Sequence, residues 1–302
     1  MSTTYKTISN DIRSSLHLAW GKALSYFLAN LGLVIVVAIL ALLIALPIAS
    51  VVLLALSPLN QATMTALAHW AVENPLAIGT IGILVMIPIV SLFMVVSGSI
   101  YGMSYDLVAK GDTKAETAFS YLRHKFLTFI ATGAMMTIIV LLLPVIAWGL
   151  TTYAMGYTIT APISALLTAF TFVWIFFAAG LTSMVFPAVV SGKGVQTAFK
   201  ESFALATQHF DRIFGVLSAI VLLIAATFGP IVLIGLALQT ATPWFSLALL
   251  PAIAAIALWT IVSAFLWLLL FLPMVRIVWV KVYQELTGGN IATQSAANMP
   301  IV

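Results

Sequence analysis

Long apolar runs alternate along the chain with shorter polar stretches, and the runs have the lengths of membrane-crossing helices. Six of them, 31–56, 77–102, 127–150, 159–190, 213–238 and 247–275, contain no Asp, Glu, Lys, Arg or His. Roughly 20 apolar residues cover the hydrocarbon core of a bilayer, so each run predicts one spanning helix that enters lipid without a charge penalty. The fourth and sixth runs exceed that minimum, which predicts tilt or extension past the headgroups. Short turns such as TTYAMGYTITAP and LQTATPW join the runs in pairs. The pairs are read as transmembrane hairpins.

The polar stretches before the first, third and fifth runs have a helical period of their own. In the third stretch Val195, Phe199, Phe203, Ala206, Phe210 and Ile213 recur every three or four residues, opposite Thr197, Lys200, Glu201, Gln208 and Asp211. In the second, Ala115, Phe119, Leu122, Phe126 and Phe129 do the same opposite Glu116, Arg123 and His124. Thr113 and Glu116 there have the spacing of a capping box. In the first, Ile12, Leu16, Ala19, Ala23 and Phe27 oppose Arg13 and His17. One apolar stripe per helix predicts three amphipathic helices lying in the membrane interface. Phe199, Phe203, Phe210, Phe119 and Phe126 are their expected buried residues.

The expected fold is therefore an all-α membrane protein: six transmembrane helices built as three repeats of interfacial helix plus transmembrane hairpin. The repeats cover 1–102, 103–190 and 191–287 within one membrane domain, and 288–302 reads as a flexible tail of small polar residues. The exits YDLVAKGD and YQELTGGN support the repetition, each leaving the membrane through a Tyr and stopping at glycine. Gly98 and Gly102 form a GxxxG at the inner end of the second run, where missing side chains let another helix approach closely.

Composition agrees with the pattern and narrows the function. The chain of 302 residues is 63% hydrophobic and only 7% charged, with a mean hydropathy of +1.19. It has no cysteine, which excludes disulfides, thiolate metal sites and a cysteine nucleophile. Its twelve basic residues are dispersed, so a net charge of +4 does not suggest a nucleic-acid partner. All twelve precede the first run or fall after the second, fourth and sixth, whereas the opposite connections hold only His69 and Glu73. The positive-inside rule then places both termini in the cytoplasm and the protein in the cell (inner) membrane. The first thirty residues are polar and helix-like, and the run after them is too long for a signal peptide; the N-terminus is expected to be retained. Trp70, Trp148, Tyr153, Tyr157 and Trp244 mark an outer aromatic belt, and Trp20, Tyr26, Tyr101, Tyr105, Trp279 and Tyr283 an inner one.

Residues 186–216 read FPAVVSGKGVQTAFKESFALATQHFDRIFGV: a proline near the end of the fourth run, a Gly/Lys linker, and a helix of the form A-F-K-x-S-F-x-L leading into the fifth. In this stretch the chain resembles the YciC-like six-span integral membrane proteins of prokaryotes. The resemblance implies topology and no catalytic residue.

Candidate chemistry is sparse. Gly192-Lys193-Gly194 lacks the earlier glycine and the following Ser or Thr of a phosphate loop, and reads as a linker. His17, His124 and His209 lie on the three polar stretches without metal-site spacing, and are expected to be solvated. Spans without ionisable groups argue against proton-coupled transport and general acid–base catalysis. Hydroxyls such as Ser91, Thr132, Thr137, Thr168, Thr171 and Thr260 are expected to bond backbone or neighbouring helices.

These observations predict a non-catalytic protein, without cofactor or metal, that shapes the membrane or scaffolds a membrane complex. Lys193, Lys200, Arg212, Arg123 and Lys125 are its expected contacts to anionic headgroups. Further copies of the chain or other subunits of a membrane complex are the expected protein partners. The alternative is a transporter or lipid-handling permease for a neutral or lipidic substrate.

Overall fold

The computed structural model describes residues 5–56, 65–66, 69–70, 73–239 and 250–289. The turn expected at 238–244 and the tail expected at 288–302 lie mostly outside these residues. Among the described residues there are helices and no strands. They are α1 (Tyr5–Gly21), α2 (Ala23–Leu56), α3 (Pro75–Lys110), α4 (Ala115–Ala154), α5 (Ala161–Thr182) and α6 (Val185–Val190). After these come α7 (Val195–Gln208), α8 (Phe210–Gln239), α9 (Leu250–Leu266), a π turn (Trp267–Phe271) and α10 (Leu272–Thr287). Six stretches are long and apolar enough to cross a membrane, so the chain is a multi-pass membrane protein.

Several helices run well past the bilayer. At 1.5 Å per residue the 36 residues of α3 extend about 54 Å, well beyond the hydrocarbon thickness. The second polar stretch is the helical segment of α4 that precedes Lys125, set off from the span by a non-helical backbone there. A kink at Lys125, φ −121° and ψ 17°, marks where one direction changes to the other. The first and third stretches are separate helices: α1 is divided from α2 at Lys22, and α7 from α8 at His209 (φ −121°, ψ 42°). The capping box is absent. Lys114 stands at the N-cap of α4, and the buried Thr113 hydroxyl has no hydrogen-bond partner among the described residues.

Glycine ends α3 and α10 as the exits suggested. Gly111 and Gly288 adopt left-handed backbones (φ 81° and 71°), and their N–H groups bond Leu107 O and Gln284 O. A side chain is strained in that region, so glycine suits the stop. The π turn falls one turn before Pro273, whose ring has no N–H to offer the carbonyl four residues back.

Packing is concentrated at the charged end. Tyr26, Leu33, Ile100, Met103, Leu107, Phe129, Met184, Ile213, Met274 and Ile277 are sealed there, where α1, α6, α7 and α10 meet the near ends of α2, α3, α4 and α8. In the far halves of the spans, many described apolar side chains, such as Leu84, Leu142, Leu166 and Leu233, face outward. Only 6% of the most apolar window of α8 is buried, which leaves lipid or another chain to cover it. The most extensive helix contact is between α3 and α4, joined by the tight link at 111–114.

Glycines seat that contact. A Cβ on Gly98 would stand 2.5 Å from the Phe129 ring, and one on Gly102 would stand 2.3 Å from that of Tyr121. A Cβ on Gly32 would meet Phe119 at 2.6 Å. The first half of α4 therefore lays aromatic rings into hollows on α2 and α3, the close approach a GxxxG permits.

Candidate functional site

The polar residues of the charged end are joined into one structure. Asp11 lies on the buried face of α1, with Ser15 and Ala19 in register one and two turns on. Arg212, at the start of α8, donates from Nη2 to Asp11 Oδ2 at 3.0 Å and also to Glu285 Oε2 of α10. Lys281 stands 3.2 Å from Asp11 Oδ1 and 3.9 Å from Glu285 Oε1, and donates to Ser14 Oγ at 2.9 Å. Two cations and two carboxylates thus neutralise one another among the first helix, the fifth span and the last helix. All four side chains are at most 18% exposed.

Three further links tie the remaining elements to this end. Lys125 Nζ donates to Val189 O at 2.6 Å and Val190 O at 3.1 Å, capping the C-terminal carbonyls of α6, where the helix dipole favours a cation. Lys193 pairs with Glu201, which also accepts from the Tyr283 hydroxyl at 3.1 Å. The Glu201 carboxylate holds the Lys193 ammonium above the ordinary lysine range. Lys22 meets Asp112 at 2.5 Å, and that hydrogen bond holds the Asp112 carboxyl below the usual range.

The expected headgroup contacts divide accordingly. Lys200 and Arg123 are exposed. Arg212, Lys193 and Lys125 are half-buried and bonded to protein acceptors, so they serve as internal ties. The apolar stripe divides too: Phe199 is buried, Phe203, Phe119 and Phe126 are half-buried, and Phe210 is 48% exposed. Phe210 follows the break at His209, which rolls it out of line with α7; its ring stacks on Phe214 at 4.2 Å instead.

Of the inner aromatic belt, Tyr26, Tyr101, Trp279 and Tyr283 are core residues, and Trp20 alone of these five is exposed. Their helices pack against one another at this level. Trp70, Tyr153 and Tyr157 at the opposite end are exposed. His17, His124 and His209 are exposed, and no group of three metal-ligating side chains forms among the described residues.

The hydroxyls of the spans bond their own helices. Ser91, Thr132, Thr137, Thr168 and Thr260 each donate to the carbonyl four residues earlier. Thr171 accepts from Trp148 Nε1 of the paired helix at 3.0 Å. Trp174 Nε1 donates to Val140 O at 3.1 Å, the carbonyl that loses its helical partner to Pro144. Near the far end, an apolar cavity of about 320 Å³ opens between α3 and α4, lined by Met86, Ile87, Ile138, Leu141 and Val145. A groove of about 500 Å³, running past Trp148 towards Thr171, shares Leu141 and Val145 with it.

The fold defines a multi-pass α-helical membrane protein with a tied, polar end and an open, apolar one. No protein family, curated protein or solved structure matches the chain.

Proposed function

We propose that the protein is a non-catalytic organiser of its membrane, which shapes one leaflet by carrying extra helical mass on a single side. The observation that carries this reading is the uneven packing. α1, α7 and the first turns of α4 add to the six spans at the charged end, while the far halves stand with apolar surfaces outward. A bundle wider in one leaflet displaces more lipid there and favours curvature. Exposed Trp20, Leu24 and Leu127 around the charged end supply apolar contact with that leaflet, and exposed Lys200 and Arg123 supply charge for anionic headgroups.

The positive-inside argument places this end and both termini on the cytoplasmic side of the inner membrane. Three repeats of helix plus hairpin account for the polar segments, which end at breaks at Lys22, Lys125 and His209. The likeness to the YciC-like proteins agrees with this topology. Support for a non-catalytic role comes from the polar groups themselves: the span hydroxyls named above are bonded to backbone or tryptophan, and Asp11, Arg212, Lys281 and Glu285 are paired with one another.

Reconstitution into giant vesicles containing phosphatidylglycerol tests the proposal. Tubulation or budding is expected with the full chain and should weaken when Trp20 and Leu24 are replaced by Ser. Vesicles that keep their shape at every protein density would overturn it. The apolar cavity and groove along α4 favour a second reading, handling of a neutral or lipidic molecule. Accelerated flipping of a fluorescent lipid, abolished by Leu141→Trp, would select that reading.

A further inference from the structure

Arg276 differs from the other cations at the charged end. Arg212 and Lys281 share two carboxylates, and Lys125 is held by the carbonyl end of α6. Arg276 donates from Nη1 to Asn30 Oδ1 at 2.9 Å, its only hydrogen bond among the described residues, and none of their carboxylates lies within ion-pair distance. Asn30 is fixed for this task, because its Nδ2 donates to Tyr26 O at 3.0 Å and turns its oxygen towards the guanidinium. Tyr101 stands on α3, which packs against α10, and its hydroxyl has no hydrogen-bond partner among the described residues; the residue is 9% exposed. Its ring is held against Phe186, centroid to centroid 5.4 Å. The neighbouring Tyr26 hydroxyl, by contrast, is bonded to Ser104 Oγ at 2.9 Å.

Arg276 therefore has one neutral acceptor and the Tyr101 hydroxyl none among the described residues, on two helices that pack together. Their depth says what can match them. Arg276 directly follows one apolar run, Tyr101 ends another, and Asn30 directly precedes a third. That is the level of the lipid phosphates. Arg276, Val275 and Leu272 are half-buried, so the guanidinium is reachable from the side.

We propose that Arg276 and Tyr101 bind the phosphate group of an anionic phospholipid between α2, α3 and α10, with Asn30 as the positioning residue. The guanidinium fork suits two phosphate oxygens, and the phenol supplies a further donor. The site is independent of leaflet shaping: vesicles can keep their form while the lipid stays bound.

Native mass spectrometry of the full chain in detergent, titrated with phosphatidylglycerol, phosphatidylcholine or inorganic phosphate, tests it. The wild type should retain phosphatidylglycerol in preference to phosphatidylcholine. Arg276→Gln should weaken retention by at least about tenfold, the worth of a charged hydrogen bond, and Tyr101→Phe by about threefold or more. If Arg276→Gln does not fold, Tyr101→Phe carries the test, since it keeps the ring on Phe186. Binding of inorganic phosphate that is lost in the variants, without preference for phosphatidylglycerol, supports the phosphate chemistry and reassigns its source to the free ion. Equal retention of both lipids by wild type and variants, with no variant-sensitive phosphate binding, overturns the proposal.

Discussion

Asp11 shows how much rests on one side chain. The sequence pattern predicts that its helix buries Ile12, Leu16 and Ala19, yet the face turned fully inward carries Asp11, Ser15 and Ala19, with Ile12 and Leu16 half-buried beside it. The roll follows from the two cations that α8 and α10 bring to the same place. A partner 201 positions away in sequence leaves no trace in local periodicity, and this is why the pairing is not legible there. A buried pair stabilises little relative to apolar residues, but removing one partner leaves a charge uncompensated. Arg212→Gln is therefore expected to cost about 3 kcal/mol in unfolding free energy. Adding Glu285→Gln should cost less than the sum of the two single changes, with a coupling of about 1 kcal/mol or more. Chemical unfolding of purified variants in one detergent measures both, and strict additivity would mean that the two groups act independently.

At the scale of elements, the sequence predicts where helices cross the membrane and, at Gly111 and Gly288, where two of them stop, but not how they bend. Six charge-free runs can be counted, because hydrocarbon excludes ionisable groups. The kink at Lys125 and the π turn at Trp267–Phe271 depend on contacts between helices. The inserted residue of a π turn rotates the remainder of the helix by about 100°, so the direction of Arg276 cannot be projected from the apolar run before it. Proline inside a span raises a related problem. Pro144 frees the carbonyl of Val140 in hydrocarbon, and Trp174 of the paired helix fills the gap. Trp174→Phe should cost about 1–3 kcal/mol by leaving that oxygen bare. In a Pro144→Ala background the same change should cost much less, because the alanine N–H restores the helical bond. Thermal unfolding of the four proteins checks the cycle; an equal Trp174→Phe penalty in both backgrounds would show that ring packing, not the carbonyl, is what Trp174 provides.

For the whole molecule, the internal ties constrain the path of the chain more strongly than any single span does. Lys22–Asp112, Lys125–Val189 and Arg212 with Asp11 and Glu285 join the near ends of α2, α3, α4, α6, α8 and α10. Those ends meet only if the spans alternate in direction and none has been miscounted. The sequence foreshadows this by holding its basic residues to one set of connections, since a wrong count would scatter them. Because the chain contains no cysteine, single cysteines report topology without background. Lys114→Cys and Lys200→Cys sit at exposed positions of the charged end, and Thr158→Cys in the exposed turn between α4 and α5. In spheroplasts an impermeant maleimide should label Thr158→Cys and spare the other two, and in inverted vesicles the pattern should reverse. Complete reversal of both patterns would leave the fold intact and turn it over in the membrane. Labelling of Lys114→Cys and Lys200→Cys from opposite sides would break the alternation on which every tie at the charged end depends.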